Sequence, residues 1–297
     1  MKVLNIATHD FSNMSHENAN ALLSVGVYCL DVKIHPHVFK YKTESHIRTS
    51  RWIKENYRNF DIIQLFHSDE SLFYIVQDHP NVVIYHTGTR YRNYKKKYDQ
   101  LFKGRKIITD QCEFLLHNPT FNYLAPHTTL KPKPKDTTGK LIIGHYPSQP
   151  DTKGTDRIIE MLEPFKNDFE LRISKDKVTH EENLKRVSEC HIYVELFAPT
   201  QTGNPYGCFG VSAFEATAMG CLVVTNNINR SAYEDVYGGQ PFLTPNTEEN
   251  FINTITTLHD RETFEASKEI MHKDFYDRHS ITSTGTRIKD LIYESKY

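Results

Sequence analysis

The chain has 297 residues, enough for two domains of about 150 each. Its 38% hydrophobic and 25% charged residues suit a soluble globular protein, and no run approaches the roughly 20 apolar residues that a membrane span needs. Net charge is −1, but residues 1–140 hold 20 Lys and Arg against 13 Asp and Glu, while residues 141–297 hold 16 against 24. A basic half at +7 is therefore joined to an acidic half at −8, and the basic half suits an anionic partner. Five cysteines, at 29, 112, 190, 208 and 221, are odd in number and scattered. That pattern argues against a disulfide framework or a zinc site and for a reducing, cytoplasmic setting.

Lys2 to Thr8 predicts a first strand, too short for a signal peptide. The segment His9 to Glu17 predicts a polar loop, Asn18 to Val25 a helix ended by Gly26, and residues 27–34 a second strand. Strand, loop, helix and strand make a βαβ unit, hence a parallel sheet, and ligands bind at the carboxyl ends of such strands. The loop sits at such an end, so His9, Asp10, His16 and Glu17 are candidate acceptor contacts or, equally, solvated loop residues. His35-Pro36-His37 has no further ligand nearby and suits a surface turn better than a metal site.

Residues 48–57 predict a helix, and DIIQLFH (61–67) and NVVIYH (81–86) two more strands, the second ending on His86. Residues 89–106 are the most basic stretch, with eight Lys or Arg in 18 residues. Tyr91, Tyr94, Tyr98, Leu101 and Phe102 recur at helical spacing, so one amphipathic basic helix is predicted. It is a surface helix packed by its aromatics, a nucleic-acid contact or a helix on an anionic membrane surface. Arg90, Arg92, Lys95 and Lys96 are its candidate acceptor contacts. KIITD (106–110) and FNYLAP (121–126) continue the strands, and HTTLKPKPKDTTGK (127–140), with two Pro and four Lys, predicts the linker between domains.

LIIGHYPSQPDTKGTDRIIEML opens the second domain as strand, loop and helix, with Lys153 just before the helix. FELRIS (169–174) and HIYVELF (191–197) predict strands, with a charged helix over 180–189 between them. YGCFGVSAFEATAMGCLVVTN (206–226) predicts a Gly-rich turn, a helix ended by Gly220 and a buried strand. It places backbone N–H groups at a helix start, where phosphate binds well, and one carboxylate, Glu215, inside the helix. A short strand over QPFLT and helices over 247–258, 261–276 and 282–295 complete the chain.

FGVSAFEATAMGCLVVTN resembles the donor-site motif of retaining GT-B glycosyltransferases of the family 4 type. The resemblance implies an α/β protein of two Rossmann-like domains facing each other across a cleft. Residues 1–130 would form the acceptor domain, completed by a C-terminal helix over 282–297, residues 131–140 the linker, and residues 141–281 the donor domain. It implies that Glu215 holds the ribose, that Phe209, Gly210, Val211 and Ser212 form the turn facing sugar and diphosphate, and that Lys153 binds the diphosphate. His86 would lie against the donor sugar as the catalytic histidine. Ser174 and Glu195 would lie near the nucleobase. Two positions depart from the family: Gly207 stands where a second Glu is usual, and Ser148 where an Arg is usual.

The implied reaction moves a sugar, from a UDP-sugar first among donors, to an acceptor hydroxyl with retention. No Asp-x-Asp pair is present, so no metal and no cofactor is expected. The basic half favours a hydroxymethylated base in DNA as acceptor; a lipid-linked, lipopolysaccharide or free saccharide acceptor is the alternative. A GT-B sugar-nucleotide epimerase using Asp10 and Glu17, and a non-catalytic nucleic-acid-binding protein, are the rival classes.

Overall fold

The apolar run after Lys2 forms β1 (Lys2–Ala7), in which Val3, Leu4, Ile6 and Ala7 are fully buried. A strand buried on both faces belongs at the centre of a parallel sheet covered by helices. In the computed structural model, which describes residues 1–293 apart from 134, 136 and 202, β1 holds that place. It pairs with β2 (Tyr28–Lys33) on one side and β4 (Ile62–Leu65) on the other. With β3 (His46–Ile47), β5 (Val82–His86), β6 (Lys106–Thr109) and β7 (Asn122–Tyr123), the order is β3-β2-β1-β4-β5-β6-β7, every pair parallel.

This sheet belongs to the first of two units, residues 1–129 with the segment from His279 onward; the second runs from Leu130 to Arg278. The second sheet contains β8 (Ile142–His145), β9 (Glu170–Ile173), β10 (Ile192–Val194) and β13 (Leu222–Val224), in the order β13-β10-β8-β9, again parallel. A small antiparallel pair, β11 (Thr200–Gln201) with β12 (Asn204–Pro205), lies between β10 and β13 in the chain. QPFLT forms no strand; only a bridge from Leu243 to Val224 remains. Of the expected linker, residues 134 and 136 lie outside the described residues, as do residues 294–297 of the expected last helix.

Three further expectations need correction. The first helix spans Met14–Ser24, so the end of the supposed loop is helical. The cause is Asp10, whose carboxylate accepts the N–H of Ser15 at 2.8 Å and of His16 at 3.1 Å. It thereby satisfies first-turn donors that would otherwise lack a partner. The basic stretch is two helices, Gly88–Asn93 and Lys95–Leu101, broken at Tyr94 (φ −133°, ψ 37°). Tyr91 and Tyr98 are buried from separate helices, and Tyr94 is left exposed. The Tyr91 hydroxyl, donating to Asp99 at 2.7 Å, ties the two pieces together. Of the His35-Pro36-His37 pair, only His35 faces solvent; His37 is turned in, its Nδ1 accepting the Phe39 N–H at 3.0 Å.

The last helix, Ile281–Tyr293, packs on Met14–Ser24. A Cβ on Gly285 would meet the Ala21 carbonyl oxygen at 2.0 Å, so the two backbones touch only because this residue has no side chain. None of the five cysteines is in a disulfide, and among the described residues no helix is long and apolar enough to cross a membrane.

Because Asp10 is fully buried and also accepts from Ser45 Oγ at 3.1 Å, Asp10→Ala strips the helix cap and strands buried donors. A loss of about 1–3 kcal/mol in stability by denaturant unfolding is expected; an unchanged midpoint would contradict the capping role.

Candidate functional site

In the second sheet β8 and β10 are neighbours, and the chain leaves them for opposite sides: from β8 toward β9, from β10 toward β13. Ligands of open α/β sheets bind at such switch points, beyond the carboxyl ends of the strands. His145 closes β8 and holds this corner together. Its Nδ1 donates to the Val194 carbonyl at 2.7 Å, and its Nε2 accepts from Thr155 Oγ1 at 2.9 Å. Burial pushes its pKa down to about 4, which keeps the ring neutral and suits that tautomer.

After β8 the chain turns through a short helix, Pro150–Lys153, and then Gly154 at φ 69°. A Cβ there would lie 2.0 Å from the Phe197 carbonyl oxygen, so the turn can press on the segment after β10. That contact brings Lys153 to Glu195, the first residue past β10, and the two form an ion pair. The Glu195 carboxylate is wholly buried and also accepts from Thr225 Oγ1 at 2.7 Å and Ser212 Oγ at 3.3 Å. Burial works to lower the pKa of Lys153, but the Glu195 charge outweighs it and the pKa is raised; the ammonium stays charged.

The helix Val211–Ala218 starts at the same point. Its N-cap is Gly210, so no side chain caps the first-turn N–H groups. A Cβ on Gly210 would stand 2.6 Å from Glu195 Oε1 and 3.1 Å from Lys153 Nζ. A cation and an uncapped helix start thus share one spot, a combination that attracts anions. Every residue of this helix except Ser212 is buried. Its end is a Schellman motif, with Cys221 N–H on the Ala216 carbonyl at 3.0 Å and Gly220 N–H on that of Thr217 at 2.9 Å.

Glu215 is buried on this helix, and its Oε1 bonds His180 Nε2 at 2.6 Å. His180 opens the helix His180–Ser188, which Thr179 caps through the Glu182 N–H at 3.3 Å. Tyr193 is fully buried; burial first, and then the charges of Glu195 and Glu215, raise the pKa of its phenol.

The turn residues divide. Phe209 is a core side chain, edge-on to Tyr233 and Phe242, so only its backbone is available to a ligand. Val211 is buried, Ser212 is bound to Glu195, and Ser148 is exposed in the loop after β8. Glu195 and Ser174, expected near a nucleobase, are used otherwise: Glu195 in the ion pair, Ser174 donating to Asp176 at 2.8 Å. Gly207 has φ 125°, and a Cβ there would sit 1.7 Å from Asn226 Nδ2. No larger residue fits while Asn226 links the Tyr206 carbonyl (3.2 Å) to the Ala198 N–H (3.0 Å).

In the first unit the expected residues are placed differently. His86 is fully buried, stacked on Tyr91 at 4.0 Å, with Phe121 edge-on at 5.3 Å. Its Nδ1 pairs with Ser68 Oγ at 2.8 Å, and burial lowers its pKa to about 3. His86, expected against the donor sugar as the catalytic histidine, is a neutral, covered imidazole packed against Tyr91 and Phe121. Asp10 is consumed as a helix cap, and His16 pairs with Asp31 Oδ2 at 2.8 Å. Arg92 is turned inward onto Glu113 at 2.7 Å and Gln111 at 3.2 Å. These three are therefore not open acceptor contacts. His9 and Lys96 are exposed and Lys95 half-buried. Arg90 lies 3.4 Å from Asp69 Oδ2 with its guanidinium partly exposed.

No family model matches the sequence, and no curated protein matches it. Solved structures do match. An α-glucosyltransferase in complex with UDP and a 13-mer DNA containing an HMU base aligns with TM-score 0.68 at 12% identity, over 98% of each chain. A lipopolysaccharide outer core galactosyltransferase, WaaB, in its apo form aligns with TM-score 0.60 at 12% identity, over 99% of each. A UDP-N-acetylglucosamine 2-epimerase of Listeria monocytogenes, itself described as provisional, aligns with TM-score 0.52 at 12% identity, over 99% of this chain and 96% of its own. The fold is GT-B. At such identities the likeness is one of fold, and a GT-B scaffold carries more than one activity among these proteins.

The sequence pointed to Lys153, Gly210 and Glu215 but missed what each one faces. A lone acid at the end of an apolar strand, as in HIYVELF, was the one signal for Glu195; nothing local marked His180.

Gly210→Ala forces a methyl group against the ion pair. A loss of about 1–3 kcal/mol in denaturant unfolding is expected, as for other overpacked sites; a neutral substitution would contradict the close approach of helix start and ion pair.

Proposed function

We propose that the protein is a glycosyltransferase that moves a sugar from a nucleoside diphosphate sugar, a UDP-sugar first, to an acceptor hydroxyl with retention. The observation that carries this is the meeting of the charged Lys153 and the uncapped start of helix Val211–Ala218 at the β8/β10 switch point. An ammonium has three donors, and Glu195 takes one side of it. The rest, with the N–H groups of Val211 and Ser212, would bind the diphosphate in this reading. Glu215 lies four residues further along the helix, about 6 Å of rise, so one nucleotide can lay its diphosphate on the helix start and its ribose hydroxyls on the carboxylate. His180 would hold one oxygen of that carboxylate and leave the other to accept from the ribose.

In this reaction the bond from the anomeric carbon to the diphosphate oxygen breaks and one to the acceptor oxygen forms. The acceptor hydroxyl proton passes to the leaving diphosphate. Lys153 and the helix start stabilise the charge that develops there, so the reading calls on no metal. Ser148 and Gly207 leave the donor side without the usual Arg and Glu, which suits a sugar recognised by fewer charged contacts.

The acceptor we propose is a hydroxymethylated base in DNA. Support comes from the basic first half and from the α-glucosyltransferase neighbour, whose own structure contains DNA with an HMU base. A base in a duplex has to be flipped out to react. A lipid-linked or free saccharide acceptor is the alternative. The epimerase reading draws on Asp10 and Glu17, yet Asp10 caps a helix and Glu17 accepts the Thr129 N–H at 2.5 Å. A purely nucleic-acid-binding protein would have no use for Lys153, Gly210 and Glu215 in their arrangement.

A thermal-shift panel of nucleotides tests the donor site. One nucleoside diphosphate at 100 times its dissociation constant should stabilise the protein by about 2.7 kcal/mol, and Glu215→Ala should abolish most of that. No shift with any nucleotide would refute the glycosyltransferase reading.

A further inference from the structure

The loops at the β1/β4 switch point hold a costly backbone. After β1, Ser12 and Asn13 have φ of 56° and 57°; after β4, His67 and Ser68 have 62° and 52°. Non-glycine residues in this region are disfavoured by about 1 kcal/mol or more each, and they persist only where their surroundings hold them. The restraints are clear. His67 Nε2 accepts the Phe11 N–H at 3.1 Å, and its Nδ1 bonds Thr87 Oγ1 at 2.5 Å. Asn13 Nδ2 donates to the Thr43 carbonyl at 2.9 Å, and Asp10 pins the turn from below.

What this strained loop achieves is display, not burial. Phe11 is 53% exposed. Its ring stacks on that of His9, with centroids 5.8 Å apart and 18° between planes, and His9 leans on His35 at 4.7 Å. His9 and His35 are themselves exposed, so three rings form a row beyond the carboxyl ends of β1 and β2. Arg90 stands by this row: its Nη1 lies 3.4 Å from Asp69 Oδ2, which also accepts the N–H of Thr8, the residue before His9, at 3.1 Å. The pKa of His9 is lowered by burial first, then by His35 and Arg90, which favours the neutral imidazole.

We propose that His9, Phe11 and His35 are a stacking platform for a nucleobase of a single-stranded or flipped-out nucleotide, with Arg90 beside it for the phosphate. The proposal rests on the glycosyltransferase reading only in taking that base to be the acceptor's. Exposed rings recognise bases because every base offers a π-face, and a guanidinium adds charge-assisted bonds to phosphate. A saccharide would need acceptors around its hydroxyls, but the nearby carboxylates are engaged. Asp10 accepts from Ser15, His16 and Ser45, and Asp69 from Thr8 N–H at 3.1 Å, Leu72 N–H at 3.2 Å and Ser71 Oγ at 2.7 Å.

The test is fluorescence anisotropy of a labelled ten-nucleotide oligodeoxythymidine on the full chain, with UDP thermal stabilisation measured in parallel. Phe11→Ala should weaken the oligonucleotide roughly tenfold or more with an unchanged salt slope, and Phe11→Trp should restore it. Arg90→Gln should lower the slope of log affinity against log salt by about one. UDP stabilisation should be the same in all variants. Oligonucleotide affinity that is absent in the wild type or insensitive to Phe11→Ala overturns the platform. Loss with Phe11→Ala alongside no UDP response in any variant would leave the platform standing and remove the glycosyltransferase reading.

Discussion

The ion pair between Lys153 and Glu195 is the constraint on which the second unit depends. Glu195 has no exposed side-chain surface, and a buried carboxylate without a partner is too costly to keep ionised. Removing one member of such a pair typically costs 3–5 kcal/mol, because the other is left charged and dry. The surrounding sequence serves the pair. Gly154 lets the two strand ends approach, His145 ties β8 to β10, and Thr225 and Ser212 also donate to the Glu195 carboxylate. Gly210 lets a helix begin against the pair. The outcome is an ammonium held charged at a helix start before any ligand arrives, which is the preorganisation that binding and catalysis reward.

The two switch points carry different chemistry. In the second unit a cation and uncapped N–H groups suit phosphate. In the first unit the rings of His9, Phe11 and His35 gather in the loops after β1 and β2, with Arg90 on the helix after β5. Much of the first half's positive charge is spent locally: Arg51 on Glu55, Arg58 on Asp78, Arg92 on Glu113 and Lys97 on Glu70. These pairs leave the +7 balance itself unchanged, because their acids are already subtracted in it, so what a ligand meets is set by where the remaining cations stand, Lys95 and Lys96 among them.

What could be read from the sequence was mainly local. The stretch from Gly210 to Thr225 shows its helix, its Schellman end at Gly220 and its strand because cap, periodicity and β-branched run lie within a few residues of one another. The parallel strands were legible for the same reason. Side-chain pairing across distance was not. Glu215 and His180 lie 35 residues apart, and Lys153 and Glu195 42 apart. A strand-end histidine does not reveal which face it takes, so His86 turned out covered by Tyr91. Periodicity suggested one basic helix, but the chain breaks at Tyr94, and Tyr91 and Tyr98 are buried from separate helices. Asp10 looked like a loop acid because its role depends on the N–H groups of a helix that starts four residues later.

The central claim is that Lys153, held by Glu195 at the helix start, is there for a diphosphate. Calorimetric titration of Lys153→Met with UDP and with uridine tests it most directly, provided the fold is intact by circular dichroism. The account predicts that UDP affinity falls by about 10- to 100-fold, the loss of one charge-assisted contact at about 1.5–3 kcal/mol, while uridine affinity is unchanged. Equal losses for both ligands, or none for UDP, would contradict it.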